Sequence, residues 1–160
     1  MSDVDLFSKA IPPWIVVKNK SIDLEFIPDN IRVVTLDAQN MKNLNDMYLH
    51  FSDGFKFPDY FGNNLNAMDE CLTDLEWLPA DSYLLVIYNA DWFLNEENEV
   101  VLDGILSILN SAGAEWSTPI KEGSEWDRCE IPFHTVFIEN EDSDHRIERA
   151  VKKFAREGSI

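Results

Sequence analysis

Three short runs dense in β-branched and aromatic residues constrain this chain most: residues 31–37 (IRVVTLD), 83–88 (YLLVIY) and 132–138 (PFHTVFI). Each is too short for a helix and is apolar throughout rather than at alternate positions. Strands buried on both faces of a parallel sheet read this way. The segments between them carry helical periodicity instead. Over 40–52, Met41, Leu44, Met47, Tyr48 and Phe51 recur on one face, with Asn40 placed as an N-cap and Gly54 as a stop. Over 64–77, Leu65, Met68, Leu72 and Leu75 form a stripe joined by Cys71, and Pro79 ends it. Over 96–112, Val101, Leu102, Ile105, Ile108, Leu109 and Ala112 line one side, Glu96, Glu97 and Glu99 suit the positive N-terminal end, and Gly113 reads as a stop. A final helix at 144–157 buries Ile147, Ala150, Val151 and Phe154, collects bases toward its C-terminal end, and has Gly158 beyond it.

The order strand, helix, helix, strand, helix, strand, helix predicts an α/β fold: a small three-stranded parallel sheet flanked by helices. Residues 1–160 read as one domain with a core at about 31–139, an N-terminal extension at 1–30 and an extra C-terminal helix at 144–157. Within the extension, Pro12 and Pro13 break the chain, and Trp14-Ile15-Val16-Val17 suits a short edge strand. Residues 114–131 read as irregular, with Pro119 and Gly123 on either side of the approach to Trp126. A loop of that length is functional or ordered by its own contacts.

Charge narrows the function. Thirty acids face 13 bases, a formal net charge of −17. Arg146, Arg149, Lys152, Lys153 and Arg156 all fall in the last helix. Between Lys56 and Lys121 there is no Lys or Arg, while 12 acids run from Asp59 to Glu115. Such a field repels phosphate, so nucleic-acid binding is not expected. It attracts and steers a basic partner, and it also serves solubility. No apolar run is long enough for a bilayer, and the N-terminus lacks a basic start followed by an apolar block. Cys71 and Cys129 lie far apart and outside any CxxC pair. The expectation is a cytoplasmic protein with free thiols, no membrane association and no metal framework.

The residue patterns of known chemistries are not found. His50, His134 and His145 share no motif, and the sequence holds no HExxH, GxSxG or GxxxxGK[ST]. Cys71 sits on an apolar stripe in acidic surroundings and would make a poor thiolate. Asp69-Glu70 and Glu96-Glu97 are adjacent on helices and do not face each other. Asp91, Glu96 and Glu99 fit no metal loop. The expectation is no enzyme, no catalytic residues, no cofactor and no metal. The outward side of the second helix is different. Asn66, Glu70, Thr73 and Trp77 lie opposite its apolar stripe, flanked by Asp69 and Glu76, and the preceding loop adds Asp59, Tyr60, Asn63 and Asn64. Aromatics, amides and acids in one place suit recognition of a protein bearing Arg and Lys.

Residues 55–79, FKFPDYFGNNLNAMDECLTDLEWLP, resemble the signature of the barstar family. The matching features are the Pro58-Asp59-Tyr60-Phe61-Gly62 loop, Asn64-Leu65 opening the helix, Ala67, Cys71-Leu72-Thr73 and the closing Trp77-Leu78-Pro79. Pro132-Phe133-His134 opening the last strand is also similar to longer bacterial members. The resemblance implies a barstar-like fold and an intracellular inhibitor of a secreted ribonuclease, an immunity protein of toxin–antitoxin type. It implies that the second helix and its loop enter the enzyme's active site. By motif position, Tyr60 packs at the active-site mouth and Asn64 hydrogen-bonds near the helix start. Glu70 takes the place of a central phosphate-mimicking aspartate, one methylene longer. Thr73 and Asp74 border the contact. Asn66 stands where an acid is common in the family, and Asp69 where the type inhibitor has an aromatic. Glu115 is a candidate acid beyond the second helix.

The expected partner-binding set is Tyr60, Asn63, Asn64, Asn66, Asp69, Glu70, Thr73, Asp74 and Trp77. The expected partner is a basic ribonuclease toxin, bound tightly and in a salt-sensitive way by a chain that is a monomer when free. The alternative is a non-inhibitory interaction module of the same fold with a non-nuclease partner. A third reading, a hydrolase using Glu70 and a neighbouring carboxylate, requires a pH-dependent activity lost in Glu70→Gln.

Overall fold

The structure is a computed structural model and describes residues 3–156. Gly158, read as the stop of the last helix, lies outside the described residues. In chain order the elements are α1 (Asp3–Phe7), β1 (Ile15–Lys18), β2 (Ile31–Asp37), α2 (Leu44–Phe55), α3 (Leu65–Asp74), β3 (Ser82–Tyr88), α4 (Glu99–Trp116), β4 (Phe133–Ile138) and α5 (Arg146–Arg156).

The sheet is parallel and has four strands rather than three, in the order β1-β4-β3-β2. The added strand comes from the N-terminal extension. Ile15 pairs with Thr135 and Lys18 with Ile138, so β1 is an edge strand. Four residues after two prolines make a weak local signal; pairing with β4 is what makes them a strand. The central strands β3 and β4 are buried almost throughout, whereas β2 at the other edge alternates. This is the pattern expected of inner and edge strands.

The two sheet faces are covered differently. Val34, Leu36, Tyr83, Leu85, Ile87, Phe133 and Phe137 face the larger core, where α2, α3, α4 and α5 all pack. Ile31, Leu84, Val86, Val136 and Ile138 face the other way, and Phe7, Leu6, Ile22, Leu24 and Ile27 of the extension cover them. The extension is also tied in by polar contacts. His134 on β4 is fully buried, with Nδ1 3.0 Å from the Pro13 carbonyl and Nε2 2.8 Å from the Lys9 carbonyl. Burial holds this imidazole below the usual histidine pKa, against the pull of the two carbonyls. At the other end of the chain, the buried Glu139 carboxylate accepts from the backbone N–H groups of Ile147 (3.1 Å) and Glu148 (3.4 Å), fixing the start of α5. The Arg146 guanidinium donates to the Phe93 and Leu94 carbonyls.

Three helices open on the same chemistry. The side-chain oxygens of Asn43, Asn64 and Asn98 accept from the N–H three residues on, at 2.9, 2.8 and 3.1 Å. The cap of α2 is therefore Asn43, not Asn40, which lies in a 3-10 turn at Ala38–Asn40 capped by Asp37. Two glycines read as stops are interior residues. A Cβ on Gly54 would lie 2.9 Å from Leu36 Cδ2, and one on Gly113 would lie 2.6 Å from Trp14 Cβ. Both are small because another element packs against the helix there. Accordingly α2 runs on to Phe55, with Lys56 left-handed at φ 57°, and α4 runs on to Trp116. Residues 117–132 are irregular apart from a bridge between Ile120 and Arg128.

Candidate functional site

The segment 56–64 connects α2 to α3, and it is fastened from below by aromatic rings. Phe57 is buried, 4.8 Å from the Phe61 ring centroid and 6.0 Å from that of Phe55. Tyr48 meets Phe61 edge-on, and Trp77 meets Phe57 edge-on. A turn closes the tip, with the Phe61 N–H donating to the Pro58 carbonyl at 2.9 Å. Tyr60, at that tip, is left 73% exposed. Asn63 takes a left-handed backbone, φ 49°, which turns the chain into α3.

Asn64 then serves the fold on both sides of its amide. Its oxygen caps Ala67 N–H, and its nitrogen donates to the Gly62 carbonyl at 3.2 Å. On α3, Met68, Cys71 and Leu72 are buried, as the stripe predicts, and Leu75 follows at 1% exposure. The opposite side presents Asn66, Glu70 and Asp74 fully to solvent, with Asp69 and Thr73 half-buried beside them. The Thr73 hydroxyl donates back to the Asp69 carbonyl at 2.9 Å, so it is already engaged within the helix. The helix ends at Asp74 with Leu75 left-handed at φ 48°. That turn takes Trp77 off the helical face. Its indole N–H donates to the Phe55 carbonyl at 2.9 Å, and the ring joins the aromatic base of the loop. Of the nine expected contact residues, Tyr60, Asn63, Asn66, Asp69, Glu70 and Asp74 have their polar ends at the surface, while Asn64, Thr73 and Trp77 hold the frame.

The electrostatics of this face are uniformly negative. Burial and then the neighbouring Glu70 raise the Asp69 carboxyl above the ordinary aspartate range. The Tyr60 phenol is raised by loss of hydration and by Asp74, Cys71, Glu76 and Glu70, so loop and helix share one field. Cys71 is raised by burial and by Asp74 and Glu70, and both cysteines are free. Glu70 has no ion pair with a described residue. The pairs that are defined gather instead at α5, such as Lys152–Glu148 at 3.1 Å and Lys153–Asp103 at 3.7 Å. A row of acids without cations is an electrostatic deficit that a basic partner relieves.

Elsewhere, the grouping of described residues closest to a metal-ligand set is Glu139, His145 and Glu148, with His145 Nδ1 3.5 Å from an oxygen of each acid. It belongs to the start of α5, and Glu139 is engaged there as the helix cap. Asp91 accepts from the Asn140 N–H and Glu97 from the Leu44 N–H, so these two acids brace loops. Among the described residues no helix is long and apolar enough to cross a membrane. The rings beneath the loop are the part of the site that sequence spacing does not assign. The only available signal is the density of aromatics in FKFPDYF.

Fold and face together define the class: a small acidic α/β protein whose parallel sheet carries α2 to α5 on one face, with one helix–loop surface whose acids have no ion pair among the described residues. The chain belongs to the barstar family, whose description reads "Barstar (barnase inhibitor)", and the match covers residues 31–138. It is also similar to a Bacillus subtilis (strain 168) protein named "Putative ribonuclease inhibitor YrdF". The identity is 30% over 91 residues, covering 57% of this chain and 96% of that protein.

Proposed function

We propose that this chain is a non-enzymatic immunity protein that works in the cytoplasm. It binds a basic, barnase-class ribonuclease and occludes its active site with α3 and the Tyr60 loop. The observation that carries this is Glu70: a carboxylate at the centre of an exposed face on a rigid, capped helix, in no ion pair with a described residue. A ribonuclease binds the phosphates of its substrate with Arg and Lys. Presented with Glu70, those cations meet an anion that cannot be cleaved, through charge-assisted hydrogen bonds. Tyr60 adds rigid aromatic area, and Asn66 adds an amide able to donate and accept. The extra methylene of Glu70 moves its charge farther from the helix axis, which suits a target whose cations lie deeper.

The test is inhibition of RNA cleavage by barnase. Wild type inhibits, and Glu70→Ala weakens inhibition by about 2 kcal/mol or more, roughly thirtyfold. The exposed-acid control Asp142→Ala changes it by less than about 0.5 kcal/mol. Equal, small losses for both variants would remove α3 from the mechanism. Binding of the same non-nuclease proteins by wild type and Glu70→Ala would move the function to an interaction module of the same fold.

A further inference from the structure

We propose that the loop at residues 117–132 is a second contact element of the inhibitory face, with Trp126 as an anchor that receives an arginine or lysine from the rim of the ribonuclease cleft. This rests on the inhibitory reading above and extends it to a segment that reading does not use.

The loop is built as a rigid support. The Asp127 carboxylate gathers the backbone N–H groups of Glu122 (2.8 Å), Gly123 (2.8 Å) and Ser124 (3.2 Å). The Ser124 hydroxyl donates to the same carboxylate and accepts from the Trp126 N–H at 3.2 Å. Gly123 supplies the left-handed residue, φ 76°, that lets the turn wrap the carboxylate. Ile120 and Arg128 exchange both backbone hydrogen bonds, at 2.9 and 3.0 Å, and close the base. A surface loop held by this many internal bonds is already ordered before a partner arrives, which lowers the cost of binding.

The base of the loop packs on the end of α4, and through Trp116 it is linked to α3. Arg128 lies over the Trp116 ring, 3.8 Å from its centroid, and the Ile131 N–H donates to the Trp116 carbonyl at 2.9 Å. Trp116 in turn donates its indole N–H to the Leu72 carbonyl of α3 at 2.8 Å. The loop is therefore anchored one residue, Trp116, away from the C-terminal half of α3, the helix on which Asp74 is exposed.

What the tip offers is an indole that is 65% exposed. Two other indoles of the chain are already covered by a cation: Arg128 lies over Trp116, and Lys42 over Trp92 at 4.7 Å. Trp126 has no such cation among the described residues. Glu122, Glu125 and Glu130 are exposed in the same loop. Of the two bases in the loop, Arg128 is committed to Trp116, and Lys121 is exposed and is not stacked on the Trp126 ring. A positive side chain from a partner would find an exposed indole in a loop rich in carboxylates, and the ring face attracts a cation. A basic ribonuclease rim supplies that chemistry.

The experiment uses the full chain and barnase as the probe, reading the inhibition constant from RNA cleavage. Trp126→Ala raises the constant at least tenfold, Trp126→Phe restores most of the loss and Trp126→Leu does not. Val100→Ala, which truncates another exposed apolar residue (78%), stays within twofold. All four variants melt with the wild type. If Trp126→Ala inhibits within twofold of wild type while Glu70→Ala is impaired, the loop proposal falls and the inhibitory reading stands. If Trp126→Leu restores as much as Trp126→Phe, the ring does not receive a cation and the proposal falls. If wild type does not inhibit barnase, the reading and its extension fall together.

Discussion

Asp69 shows, at the scale of a single residue, what the acidic face costs the folded chain. It is half-buried on α3 next to Glu70, and burial and that neighbour raise its carboxyl. A carboxyl raised on folding binds its proton more tightly in the native state. Its charged form therefore subtracts stability at neutral pH, and the deficit disappears as pH falls through the raised folded value toward the ordinary value near 4. Asp69→Asn is accordingly expected to raise the melting temperature at pH 7 by a few degrees at most, with the difference shrinking to nothing near pH 3. The same variant should weaken inhibition of barnase, because a charge kept at the expense of stability is kept for a partner. A thermal melt series over pH 3–8, run beside an inhibition titration, checks both halves. A variant less stable than wild type at pH 7 would mean that an unseen partner stabilises the carboxylate. Residue chemistry at this face was legible in the sequence to differing degrees. Tyr60 is exposed at the loop tip and Glu70 and Asp74 on the outer side of α3, as the position of each relative to the apolar stripe suggests. Trp77 is not on the helix's outer side because a left-handed Leu75 ends α3 directly after Asp74. A leucine in that conformation carries no sequence signal, since glycine is the usual residue there.

At the scale of the element, two glycines in α4 separate local propensity from packing. Gly104 has only Leu65 Cδ1 near a hypothetical Cβ, at 3.8 Å, an ordinary contact. Gly104→Ala should stabilise by about 0.5–1 kcal/mol, the gain in helix propensity. At Gly113 the same methyl would lie 2.6 Å from Trp14 Cβ and Cγ and 2.8 Å from Cδ2. The indole is buried and its Cβ cannot swing away, so an overpacking cost of about 1–3 kcal/mol outweighs the propensity gain of about 1 kcal/mol. Gly113→Ala should lower stability, and paired urea unfolding curves give both signs. Gly113 reads as a helix stop because its constraint comes from Trp14, far away in the sequence, and nothing in the neighbouring residues reports it. The strands were legible as short continuous apolar runs and the stripes of α2, α3 and α4 by their period, because both signals are local. The Asn64 cap was legible as the residue opening α3, whereas Asn43 was hidden by Asn40 three residues earlier. The short edge strand at 14–17 was legible from its β-branched run, but its place as a fourth strand of the parallel sheet was not, because that depends on pairing with the distant β4.

At the scale of the whole molecule, the question is what the N-terminal extension does, since the family match begins only at residue 31. If residues 1–30 were an appendage, removing them would leave a complete fold. The packing argues otherwise. One face of the sheet is lined by Ile31, Leu84, Val86, Val136 and Ile138, and the side chains that cover it from outside the sheet come from the extension. Phe7 is fully buried there, and Trp14 is 6% exposed where it meets Gly113. Losing a buried Phe or Trp costs about 3–5 kcal/mol each. Together the two losses approach the whole stability of an ordinary domain, about 5–15 kcal/mol. Removal would also leave His134 without the Lys9 and Pro13 carbonyls and turn β4 into an open, apolar edge, a template for aggregation. Deleting residues 1–30 should therefore abolish cooperative thermal unfolding and near-ultraviolet dichroism while leaving much helix signal, because the larger core on the other face keeps its four helices. The acidic face would then be present but unsupported, and inhibition of barnase should be lost with the cooperative transition. A truncated chain that melts within a few degrees of the full one would make the extension an addition to a complete fold, and would leave the apolar face beneath it exposed without penalty.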